Sequence, residues 1–190
     1  MKYDDLKIFT KIPTIKTERL ILRKIELSDL PDVYEYAKDP EVSKYLLWKP
    51  HENIGFTKRY LKYLQKLYKT HSFYDWGITY NGKLVGTVGF THFNLPNNSA
   101  EIGYVLNRKF WTKGIASEAV TEIIKFGFER LNLNRIEAIY LPENEMSKRL
   151  LQRCKMTCEG LSRKALIVKG EYRDIEKCAI LKDDYVIKDN

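Results

Sequence analysis

Two stretches of the 190-residue chain place glycine and lysine where a phosphate could be cradled, and they do not read alike. Gly77-x4-Gly82-Lys83 matches seven positions of a nucleotide-binding P-loop. The eighth is Leu84, so the hydroxyl that would hold magnesium is missing. Asn81-Gly82 also lies between two apolar runs with no helix after it, which makes it a hairpin turn. The second stretch, Asn107–Ala116 (NRKFWTKGIA), runs from a strand pattern into a helix pattern. Such a junction aims backbone N–H groups and the helix dipole at one point, which suits an anion. Gly114 removes the Cβ that would block close approach, Ala116 keeps the helix entry small, and Lys109 and Lys113 add positive charge. No GxGxxG is present, so a dinucleotide fold is not indicated. His51, His71 and His92 show no metal-ligand spacing, and no metal is expected. Cys154, Cys158 and Cys178 are an odd, sparse set without a neighbouring histidine; they read as structural, not as a disulfide framework.

The elements that must position these residues follow from periodicity. Leu20–Ile25 alternates as a strand, and Ser28-Asp29 opens a helix that runs to about Lys38 and stops at Asp39-Pro40. A second helix covers Ile54–Tyr68. Phe73–Tyr80, Leu84–Phe93 and Glu101–Leu106 form an antiparallel meander. Ala116, Ala119, Val120, Ile123, Ile124, Gly127, Phe128 and Leu131 then make an apolar stripe at helical spacing. A strand (Arg135–Leu141), a helix (Asn144–Cys154) and two strands turned at Lys169-Gly170 complete the chain. The expected fold is α+β: a mixed, mostly antiparallel sheet of about seven strands, with helices on both faces in a three-layer sandwich. One domain is expected over residues 1–190, with its core at about 14–182.

Composition narrows the classes. No apolar run exceeds four residues, which excludes a membrane-spanning helix or signal-peptide core and makes the cytoplasm the expected compartment. The 33 basic and 25 acidic residues leave a net charge of +8, which would serve a phosphate-rich cofactor or a nucleic acid. The cations are spread along the chain, and no basic–aromatic RNA signature stands out, which argues against a nucleic-acid partner. Tyrosines and tryptophans crowd the first third (Tyr34, Tyr36, Tyr45, Trp48, Tyr60, Tyr63, Tyr68), serving either the core or an aromatic acceptor groove.

The stretch Glu101–Ala119, EIGYVLNRKFWTKGIASEA, resembles the acetyl-CoA loop of the GNAT N-acetyltransferases, and more narrowly the ribosomal-protein-alanine (RimJ/RimL-like) branch. Thr17–Arg23 (TERLILR), Asp39-Pro40-Glu41-Val42, Asn144-x-x-Ser147 with Glu159-Gly160, and Gly170–Asp174 (GEYRD) are similar to further blocks of that branch, in order. The resemblance spans about residues 14–182 and implies a direct, ternary-complex transfer of acetyl from acetyl-CoA to a primary amine. That amine would be a peptide N-terminus or a small amine. By the same resemblance, Tyr104, Val105, Leu106, Trp111, Thr112, Lys113, Gly114, Ile115, Ala116, Ser117 and Asn144 would hold acetyl-CoA. The backbone N–H near Tyr104 or Val105, where the family's strand bulges and splays, would meet the oxyanion. Glu101 would be the base acting through water, with Glu171 and Asp174 in reserve, and Ser147 the acid for the departing thiolate. Glu101 also fits a cross-strand ion pair, and Asn144 with Ser147 also fits a helix N-terminus. The chain departs from the pattern at Thr112 and Lys155, which stand where the branch has glycine, and at Leu151, where many GNAT enzymes carry a tyrosine acid. A second reading, a non-catalytic acetyl-CoA- or RNA-binding module, draws on those departures and on the net charge. Monomer and homodimer are both open.

Overall fold

The structure is a computed structural model and describes residues 12–70 and 74–186. Its eight strands form one sheet in the order β1-β2-β3-β4-β5-β6-β8-β7. They are β1 (Ile15–Lys16), β2 (Leu20–Arg23), β3 (Tyr74–Tyr80), β4 (Lys83–Asn94), β5 (Ser99–Leu106), β6 (Arg135–Tyr140), β7 (Thr157–Val168) and β8 (Glu171–Leu181). Every neighbouring pair is antiparallel except β5–β6. The sheet has one strand more than the sequence pattern shows, because β1 is two residues long and offers no alternation to read. Phe73 and His71 lie outside the described residues.

The helices are α1 (Leu30–Ala37), α2 (Pro40–Ser43), α3 (Ile54–Leu67), α4 (Ile115–Glu129), α5 (Glu145–Arg153) and α6 (Lys182–Val186). They cover both faces, because strand alternation splits the core in two. Trp76, Ile78, Val88 and Ile102 pack with Ala119, Val120 and Ile123 of α4. Val33, Tyr36, Leu61 and Leu64 of α1 and α3 pack with Ile25 and Leu84 on the other side. Asp39-Pro40 ends the first helix as expected, yet Pro40 opens α2, with the Asp39 side chain accepting from the Glu41 N–H (3.0 Å). Asn81-Gly82 and Lys169-Gly170 each take two successive positive φ values, the two-residue turn that matches strand twist. Tyr36 and Tyr68 are core residues, while Tyr63 is exposed.

One expectation is corrected. Cys158 and Cys178 stand directly opposite one another on β7 and β8 and are joined as a disulfide. Facing positions on neighbouring strands bring two cysteines together from 20 residues apart, which spacing alone does not reveal. Cys154 is free and buried beneath α4. Among the described residues no helix is long and apolar enough to cross a membrane.

Candidate active site

The sheet opens where its one parallel pair ends. β5 and β6 are paired only over Ser99–Glu101, whereas β5 stays paired with β4 to Leu106. Beyond Glu101 the two strands part, and a cleft of about 500 Å³ fills the wedge. That volume suits a ligand of cofactor size. Tyr104, Val105, Leu106, Trp111, Thr112, the run Gly114–Ser117, Asn144 and Ser147 line it. Lys113 and Glu101 do not. The Lys113 ammonium lies over the Phe110 ring, 5.2 Å from its centroid.

The β5 register fixes which backbone groups face the wedge. Val105 pairs with Thr87, and the next hydrogen-bonded pair sends the Asn107 N–H to Val85 O (2.8 Å). Alternation therefore commits the Val105 N–H to β4 and turns the N–H groups of Tyr104 and Leu106 away from it, toward the opening. The strand irregularity expected at Tyr104–Val105 lies instead on β4, at Thr91, between the pairs Phe90–Ile102 and His92–Glu101.

The loop from β5 to α4 is held from both sides. The Trp111 indole donates to Leu106 O (2.8 Å). Lys109 and Lys83 both donate to Glu35 of α1, and Arg108 pairs with Asp39. On the α4 side, Arg19 donates to Lys113 O (3.1 Å) and to Glu118 (2.7 Å), which also accepts from Thr17 (2.6 Å). Burial opposes ionisation of Glu118, but these hydrogen bonds outweigh it and hold the carboxyl below its ordinary value. Gly114 takes φ +77° as the residue before α4, and the first-turn N–H groups of Ile115, Ala116 and Ser117 have no acceptor within the helix. An anion at this end would meet bare N–H groups and no Cβ. The ties through Thr17, Arg19 and Glu118 escaped sequence reasoning; their only signal was the TERLILR block itself.

The opposite wall is the start of α5. Asn144 caps it, its side chain accepting from the Ser147 N–H (3.1 Å). The Ser147 hydroxyl lies 2.5 Å from that of Tyr104. Burial raises the Tyr104 phenol well above its ordinary range, against a smaller opposing effect of that bond, so it stays protonated. Leu151 is fully buried, so α5 brings no phenol of its own. Arg149, Arg153 and Lys44 add cationic charge along the cleft beside Glu41, Glu143 and Glu145.

Glu101 sits at the apex of the wedge on the other face of β5, where its carboxylate accepts from the Thr91 hydroxyl (2.8 Å). The ion pairs at this joint go to its neighbour Glu137, held by Arg135 (3.0 Å) and Lys177 (3.1 Å). Asp174 accepts from the Lys164 N–H on the outer hairpin, and Glu171 is exposed at its turn. Among the described residues, no group of three His, Cys, Asp or Glu could hold a metal.

A family profile described as the acetyltransferase (GNAT) domain matches residues 19–157. The chain is a GNAT acetyltransferase. It is 39% identical over 174 residues to the uncharacterized N-acetyltransferase p20 of Bacillus licheniformis, covering 90% of this chain and 98% of that one. A GNAT-family acetyltransferase from Bacillus anthracis has a solved structure that superposes with TM-score 0.78 at 33% identity, covering 90% and 99% of the two chains. The RimL ribosomal L7/L12 α-N-protein acetyltransferase, solved in complex with coenzyme A, superposes with TM-score 0.80 at 22% identity, covering 90% and 99%. Two Escherichia coli relatives differ in the acceptor they name. One is the ribosomal protein uS5-alanine N-acetyltransferase, at 24% identity over 93% of this chain and 95% of that one. The other is the spermidine N(1)-acetyltransferase, at 25% over 87% of each. GNAT membership makes acetyl-CoA the acetyl donor of this enzyme, and the ribosomal-protein acetyltransferases among its relatives are consistent with the RimJ/RimL-like branch.

Proposed function

We propose that this acetyltransferase moves acetyl directly from acetyl-CoA to a primary amine, a peptide N-terminus or a small amine, in a ternary complex in the cytoplasm. The supporting observation is the wedge itself: Glu101 stands at its apex, Ser147 stands in its wall, and no cysteine lines it to carry an acyl intermediate. Acetyl-CoA would lie along the parted edge of β5, with its pyrophosphate on the first-turn N–H groups of Ile115–Ser117. Arg149, Arg153 and Lys44 supply charge for its phosphates.

An α-amine titrates near 8 and a lysine amine near 10.4, so an N-terminal amine needs less help to lose its proton at neutral pH. Glu101 takes that proton through water. The free amine attacks the thioester carbonyl, the Tyr104 N–H meets the oxyanion, and collapse expels the thiolate toward Ser147. The +8 charge would repel a polycation, which favours peptide N-termini and small amines over polyamines.

The test is the pH profile of Glu101→Gln. Loss of the base lowers kcat/KM by on the order of 100-fold at low pH, and the deficit shrinks as pH approaches the pKa of the amine itself. A deficit that stays flat across pH assigns Glu101 a structural role.

A further inference from the structure

The strand opposite α5 carries a phenol that the family's catalytic pattern does not call for. Leu151, on α5, is fully buried in the core. Tyr104 instead reaches across the cleft from β5, 43 residues away in sequence, and its hydroxyl comes within 2.5 Å of Ser147 Oγ. Both residues line the cleft, and Ser147 is only 9% exposed. We propose that Tyr104 is a positioning residue for acetyl transfer: its hydroxyl donates to Ser147 Oγ and so turns the serine proton toward the thioester sulfur. This rests on the reading of Ser147 as the group that receives the thiolate.

Three arguments favour the phenol as the donor. A phenol is a stronger hydrogen-bond donor than an aliphatic alcohol. Among the described residues Tyr104 is the one hydrogen-bond partner of Ser147 Oγ, so the serine proton is left to point into the cleft. The groups around the pair do not compete for the phenol: the Tyr140 hydroxyl on β6 donates to Glu176, and the Cys154 thiol faces Ser117 O and Thr121 beneath α4. The serine itself cannot drift, because Asn144 holds its backbone N–H at the first turn of α5.

The amine nitrogen, its ammonium proton already passed by Glu101 to solvent, bonds to the acetyl carbon and gives its second proton to Glu101 through water. The C–S bond breaks with its electron pair going to sulfur. Sulfur takes up a proton through the Ser147 hydroxyl, which recovers one from solvent. Tyr104 keeps its own proton throughout, as its raised pKa requires. Its part is to hold one hydroxyl rotor in one orientation.

Steady-state kinetics of the full chain with acetyl-CoA and an accepting amine would test this with Y104F, S147A and the double variant. Y104F should lower kcat by about tenfold, the worth of one oriented hydrogen bond, and leave the KM for acetyl-CoA within about twofold. The double variant should be no slower than S147A, because the phenol acts only through the serine. A thermal midpoint for Y104F close to that of the wild type separates this from a folding defect. Wild-type kcat in Y104F, or losses that multiply in the double variant, would overturn the proposal. Wild-type kcat in S147A would instead overturn the underlying reading of the serine, and the positioning role with it.

Discussion

Thr112 and Lys155 stand where the resembling branch carries glycine, and both adopt left-handed backbone, at φ 63° and 65°. That conformation sets Cβ against the following carbonyl, at a cost of about 1–2 kcal/mol per residue, and a β-branched side chain suffers most. Thr112 partly offsets the strain with a hydrogen bond from its hydroxyl to Trp111 O (2.6 Å). Lys155 closes α5: its N–H donates to Gln152 O and that of Met156 to Leu151 O, the two bonds of a Schellman ending. Both departures therefore preserve the backbone and lose only its ease. Thr112→Gly and Lys155→Gly should each raise unfolding free energy by about 0.5–1 kcal/mol, net of glycine's extra entropy in the unfolded chain. Urea titration checks this; a loss of stability in either would show the strain to be relieved elsewhere. Gly114 is the opposite case, at φ +77° with Arg19 3.3 Å from where a Cβ would stand. Gly114→Val should weaken acetyl-CoA binding tenfold or more while the protein still folds. Unchanged affinity by calorimetry would remove the loop from the binding site.

At the scale of elements, the wedge depends on what holds α4 and its loop. The start of β2 and the first turn of α4 are tied through Thr17, Arg19 and Glu118, about 100 residues apart in sequence. Arg19→Ala should raise the Kd for acetyl-CoA severalfold, and with Glu118→Ala added the losses should fall short of multiplying, because the two share one ion pair while Lys113 O and Thr17 hold the remaining bonds. Independent, multiplying losses would show that Arg19 acts on the cofactor by another route. These ties also mark the limit of what was legible. Elements with strong local pattern, such as the α4 stripe and the Asn81-Gly82 and Lys169-Gly170 turns, could be read from the chain, and so could the loop that opens α4. The two-residue β1, the four-residue α2, the Cys158–Cys178 link and the Tyr104–Ser147 bond could not. The first two are too short to show a period. The others depend on which residues face each other once the sheet has closed.

For the whole molecule, pH enters through Asp75 on β3, whose charge is felt by the buried phenols of Tyr36, Tyr60 and Tyr68. Burial pushes its carboxyl up to about 7 from an ordinary 3.8, against a hydrogen bond from Thr87 that favours the charged form. A carboxyl raised in the folded state stabilises the protein below its unfolded pKa, and that contribution is lost as pH rises through the folded value. Relative to Asp75→Asn, the wild type should lose on the order of 4 kcal/mol between pH 4 and pH 8. A gap that stays constant across that window would mean the carboxyl ionises freely. Direct transfer in the splayed sheet is tested by thiol release from acetyl-CoA, measured with and without an N-terminal peptide or small amine. Release is expected only when an accepting amine is present, with initial-rate lines that intersect as a ternary complex requires. Release without any amine, or parallel lines from an acyl-enzyme, would contradict direct transfer.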